Sequence, residues 1–189
     1  MTVQTPNSIV TGTSVIEFRA TWCEDGCGFP PMKYIWEYTG EGVVVEVTPD
    51  RHLFVLPQTF LADAHRYAPG VLGHRRDLGE RLHNASRLRD PVALPVEVYP
   101  AMLTFLDWGD RESLRSVNPT DLATAFGEGT QVISVTIEVT PDPVSTPRIA
   151  NLLGWTCLES WPIRIPSDSP RGWDNISGSD FGRDMNLCY

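Results

Sequence analysis

Fifteen glycines and sixteen prolines, about a sixth of this 189-residue chain, set the scale of what it can fold into. Their usual combined share is roughly 12%. Proline removes a backbone donor and glycine loosens the backbone, so long helices are disfavoured and short elements joined by fixed turns are expected. Between these breaks, apolar and polar residues alternate as strands require. Ile16, Phe18, Ala20 and Trp22 alternate with Val15, Glu17, Arg19 and Thr21, which predicts a strand over 14–22, closed by the turn-like CEDGCGFPP. Met32, Tyr34, Trp36 and Tyr38 occupy one face of a second strand, opposite Lys33, Ile35 and Glu37. An aromatic row of this kind more often packs a sheet face than lines a ligand pocket. VVVEVTPDRHLFVL reads as a hairpin, with strands near 43–48 and 52–56 around Pro49 and Asp50. Residues 92–106 read as extended and broken by Pro95 and Pro100, and QVISVTIEV (131–139) as one strand.

Helical signals are fewer. Leu78, Leu82, Ala85 and Leu88 form an apolar stripe on a helix near 76–89 that Pro91 terminates. Two short capped helices are expected besides. In NPTDLATAFG, Asn118 caps, Pro119 takes the first turn, Asp121 suits the N-terminal dipole and Gly127 stops the helix. In TPRIANLLG, Thr146, Pro147 and Gly154 play the corresponding parts. The expected fold is therefore α+β: a mostly antiparallel, hairpin-built sheet with one amphipathic helix and two short capped ones. The lack of regular strand–helix alternation argues against a doubly wound sheet. Residues 1–13 read as an extended N-terminal arm, 14–165 as a single α+β domain and 166–189 as a loop-like C-terminal arm. GEGVVVEVTPD (40–50) and GEGTQVISVTIEVTPD (127–142) resemble each other; convergent strand-and-turn chemistry accounts for them more simply than a duplicated half-domain.

Charge is distributed unevenly. The chain has a net charge of −9, yet 65–89 holds six of fourteen arginines and three of four histidines. Against Asp77 and Glu80 those arginines leave +4 in this segment, so the remainder carries −13. Opposite the leucine stripe, the helix sets Arg76, Glu80, His83 and Arg87 in one line. Segregated charge of this kind suits a meeting of complementary surfaces. The candidate partner-binding residues are Arg75, Arg76, Arg81, His83, Arg87 and Arg89, with Trp173, Phe181 and Tyr189 as anchors on the C-terminal arm. A field of −13 elsewhere repels a polyanion, and no aromatics interleave with the row, which disfavours nucleic acid. The expected partners are copies of the chain itself or other acidic protein subunits. Lys33 is the sole lysine, so any Schiff-base chemistry would have to use it. A GC-rich genome explains the arginine excess without function.

Catalytic signatures are missing. The sequence has no G-x-S-x-G elbow, H-E-x-x-H pair, P-loop or G-x-G-x-x-G after a strand. VIEFRATW (15–22) resembles the arginine-bearing first strand of ADP-ribosyltransferases, with Arg19 in the corresponding place. The Ser-Thr-Ser strand and Glu-x-Glu loop which that family requires are absent, so the chain is not assigned to it. Cys23 and Cys27 make one Cys-x3-Cys, with Cys157 and Cys188 alone, which is not the paired spacing of a zinc site. His65, His74 and His83, nine residues apart, would fall on different faces of a helix. Neither metal nor cofactor is expected, and the thiols are expected to be free and mostly buried. The start, MTVQTPNSIVTGTS, lacks the basic and apolar regions of a signal peptide, and no stretch is apolar enough to span a bilayer. Synthesis in a cytoplasm, with residence in an assembled particle, is the expectation. Three functions fit: a non-enzymatic structural subunit of a multi-copy assembly, such as a capsid, connector or tail component of a phage with a GC-rich host; a small enzyme or regulatory domain gripping a phosphorylated or carboxylated ligand with its arginine row; or an acidic, antitoxin-like binder of a basic protein.

Overall fold

The structure, a computed structural model, describes residues 1–27, 32–56, 90–107, 110, 113–146, 149 and 152; for 18, 20–27 and 32–38 it describes the backbone only. The described residues are mostly antiparallel β-sheet with very little helix. That is compatible with the α+β class, while the leucine-striped helix near 76–89 lies outside the described residues.

The main sheet has the order β5 (Val43–Thr48), β6 (Arg51–Leu56), β8 (Ala101–Phe105), β9 (Leu114–Ser116), antiparallel throughout. The β5–β6 hairpin turns at Pro49 and Asp50, where the sequence places it. Edge strand β5 alternates, with Val45 and Val47 buried and Glu46 exposed. The two central strands do not alternate at all. Leu53–Leu56 and Ala101–Phe105 are buried at every position. Such runs belong to strands covered on both faces. Phe54 and Phe105 meet edge to face with ring centres 5.7 Å apart. The hydroxyl of buried Thr104 donates to the His52 carbonyl at 2.9 Å, so its polarity costs little.

A smaller sheet corrects the reading of residues 1–13 as an arm. β1 (Thr2–Gln4) and β2 (Ile9–Thr11) form a hairpin, and β1 pairs on its other side with β10 (Gln131–Ser134). The hydroxyl of Thr5 accepts the amides of Asn7 and Ser8 and so holds the turn. Met1 and Val3 are buried in the same core as β6 and β8. Apolar burial, not a free extended chain, decides this segment. Gly12 then brings the chain against β5: a Cβ there would lie 2.3 Å from the Val44 carbonyl oxygen.

Residues 131–139 do not make one strand. β10 ends at Ser134, β11 (Thr136–Ile137) pairs with β7 (Val92–Ala93), and the segment switches sheets at buried Val135, whose carbonyl accepts from Leu94 at 2.8 Å. Exposed Val139 lies beyond the pairing. Between Pro95 and Pro100 the chain makes a 3-10 turn at Val96–Val98. The similar segments 40–50 and 127–142 thus diverge, one forming a hairpin within the main sheet and the other bridging two small sheets.

One α-helix is complete among the described residues, α1 (Leu122–Phe126). Gly127 ends it at φ 100°, donating to the Ala123 carbonyl, but the N-cap is Asp121 and not Asn118. Asn118 spends its carboxamide oxygen on the amide and hydroxyl of Thr120 in a preceding turn. Asp121 then accepts the Thr124 amide at 3.2 Å and its hydroxyl at 2.6 Å. The other short helix, over 146–154, lies mostly outside the described residues.

Among the described residues β3 (Glu17–Cys27) and β4 (Met32–Thr39) pair only with each other, as a two-stranded ribbon. β3 starts three residues later and ends five residues later than the predicted 14–22. Phe18–Tyr38, Ala20–Trp36 and Trp22–Tyr34 are cross-strand pairs and alternate with Glu17–Thr39, Arg19–Glu37 and Thr21–Ile35. The register therefore sorts the sequence into one apolar and one polar row.

Candidate partner-binding surface

Arg75, Arg76, Arg81, His83, Arg87 and Arg89 lie outside the described residues, as do Trp173, Phe181 and Tyr189. The structure therefore brings none of these candidates together. It describes instead the acidic side of the charge division. Across the described residues fifteen carboxylates stand against four cations, Arg19, Lys33, Arg51 and Arg115, a formal charge of −11. Eleven of the carboxylates are exposed, spread along the chain from Glu17 to Asp142. Three of the cations are engaged locally. Arg19 pairs with Glu17 at 3.1 Å, Arg51 donates to the Ala125 carbonyl and Arg115 to the Leu114 carbonyl. Carboxylate density of this kind generates a negative field whose reach falls with salt over roughly 10 Å at 0.1 M.

Edge strands β2 and β5 border an open groove of about 420 Å³ lined by Ser8, Val10, Thr11, Glu46, Val47, Thr48 and Pro49. Among its described lining residues Glu46 alone is charged. His52 is the cross-strand partner of Glu46. Burial pushes the His52 pKa below its ordinary value, partly offset by the Glu46 carboxylate, so this imidazole tends to the neutral form. A groove with hydroxyls, one carboxylate and a valine floor offers an extended cationic segment hydrogen bonds and charge. It offers no nucleophile–base pair for catalysis.

Among the described residues no group of three or more His, Cys, Asp or Glu is placed to hold a metal ion. Only the backbone is described at Cys23 and Cys27, and Cys157 and Cys188 lie outside the described residues. No described helix is long and apolar enough to cross a membrane. One polar group escaped sequence reading altogether. Glu41, in the GEG turn before β5, is only 3% exposed, and its carboxylate accepts the amide of Ile149 at 3.1 Å. A glutamate between two glycines reads as a solvated turn residue, and nothing local marks it as buried. No protein-family model, curated protein or solved structure matches the chain.

Proposed function

We propose that this protein is a non-enzymatic subunit of a multi-copy assembly, in which the basic 65–89 segment of one copy meets the acidic surface of another. The observation that carries this reading is the division of charge: +4 in those 25 residues against −11 over the described β body. Complementary patches of opposite sign steer association and fix register between partners. The distribution of exposed carboxylates over the β body supports a protein partner over a polyanion, which such a field repels. The proposed setting is a particle such as a phage virion from a GC-rich host, where an arginine-rich, motif-poor chain is at home.

Solution mass against salt tests the proposal. Association at about 0.05 M salt should weaken severalfold by about 0.5 M as screening shortens the field. Reversing charge with Arg76→Glu and Arg87→Glu should give monomer at low salt, and Glu46→Lys should rescue part of the loss if it lies in the acidic surface. A monomer at all salt concentrations overturns the reading. A rise in melting temperature with a nucleotide or sugar phosphate would move the arginine row to ligand binding instead.

A further inference from the structure

Three stretches distant in sequence are tied together where the β3–β4 ribbon joins the body. Residues 14–16 enter the ribbon, 40–41 leave it, and 144–146 and 149 lie against both. The Ser14 hydroxyl donates to the Glu41 carbonyl at 2.6 Å, closing the two legs of the ribbon at its root. Val15 and Ser145 are bonded twice: the Val15 amide donates to the Ser145 hydroxyl at 2.7 Å, and the Ser145 amide to the Val15 carbonyl at 3.0 Å. Gly40 has φ +122°, and a Cβ there would lie 3.1 Å from Ile16 Cγ2 and 3.2 Å from Val144 Cγ1. Within this knot the carboxylate of Glu41 reaches across 108 residues to the amide of Ile149, whose side chain is buried in the core.

A carboxylate is expensive to bury, and a charge-assisted bond is stronger than a neutral one. A turn between two glycines could keep such a group in water at no cost. Here it is held inside, against the amide of Ile149. We propose that Glu41 is a latch: its carboxylate makes the strap residues 144–146 and 149 and the ribbon root, 14–16, one cooperative unit that opens and closes separately from β6 and β8. The chemistry suits that role, because a carboxylate released to water is stabilised by hydration whereas a released alkyl group is not.

Hydrogen exchange by mass spectrometry on the full chain tests this, with Leu53–Leu56 and Ala101–Phe105 as internal references. Glu41→Ala should raise exchange about tenfold in 144–146 and 149 and, by the same factor, in 14–16, and leave the references unchanged. Glu41→Gln keeps an acceptor oxygen without charge and should give a smaller rise in the same two segments. Ser145→Ala removes the acceptor of the Val15 amide and should open the same pair. Unchanged exchange at 144–146 and 149 in both Glu41 variants overturns the latch. So does opening of the strap without the ribbon root, or an even rise that includes the references, which marks plain destabilisation. Should Glu41→Ala not fold, Glu41→Gln and Ser145→Ala decide by the same comparison.

Discussion

β6 and β8 lie between paired strands and bury every residue from Leu53 to Leu56 and from Ala101 to Phe105. β3 and β4 include longer strands, yet among the described strands each pairs only with the other. Length does not explain the difference. Apart from Thr104, whose hydroxyl donates to the His52 carbonyl, the buried runs of the central pair are apolar, so neither face can be left to water. The ribbon alternates, with Glu17, Arg19 and Thr39 exposed on its polar row. A two-stranded ribbon by itself is marginal in water, since half of its backbone groups have no strand partner. Of these two described regions the main sheet is therefore the more rigid, and the ribbon depends on what ties its root.

Four measurements break or sharpen that contrast. Phe105→Ala should cost about 3–5 kcal/mol by denaturant unfolding, because the ring is 2% exposed and fills space against Phe54. A loss below about 1 kcal/mol would deny the sheet its place as the core. Gly12→Ala should cost about 1–3 kcal/mol, since the added methyl meets the Val44 carbonyl and backbone cannot swing aside as a side chain can. Exchange in β3–β4 should then outpace exchange in β6–β8 under native conditions, and equal protection would erase the distinction. Arg19→Ala should change stability by no more than about 0.5 kcal/mol, since both partners of its ion pair with Glu17 are well exposed.

The main sheet also carries a pH signature. Burial lowers the His52 pKa in the folded state, so the unfolded chain binds the proton more tightly. Stability should hold above pH 6.5, the ordinary value, and fall as pH drops from there towards the lowered folded value. His52→Gln should flatten the unfolding midpoint over that window, measured at constant salt. An identical slope in the variant assigns the pH dependence to other groups.

Strand periodicity made much of this architecture legible. Alternation at Phe18–Trp22 and at Tyr34–Tyr38, and Pro49-Asp50 between apolar runs, were enough to place the ribbon and the β5–β6 hairpin. The N-terminal hairpin was missed because Val3 and Val10 are lone apolar positions in short strands, though Pro6 and Asn7 between them are a turn signal. The split at Val135 leaves no local trace, since pairing with β1 and β7 decides it and neither is near in sequence. Asn118 and Asp121 are both good caps, and only the geometry after Pro119 shows which one the helix uses. The candidate site was legible as charge segregation alone. Its acidic half can be followed residue by residue, but the burial of Glu41 depends on a contact 108 residues away.

β1 sits between its neighbour β2 and the distant β10, with Gln4 and Gln131 joined side chain to side chain across 127 residues. A strand in that place cannot be completed while the chain is still short. At a synthesis rate of about 5–20 residues per second, Val3 waits on the order of ten seconds for its second partner. Closing so long a loop also slows refolding relative to a chain of local contacts. A strand made well before its partner is thus among the last to settle, and the small sheet that β1 shares with β10 is the step at which folding of the body can be timed.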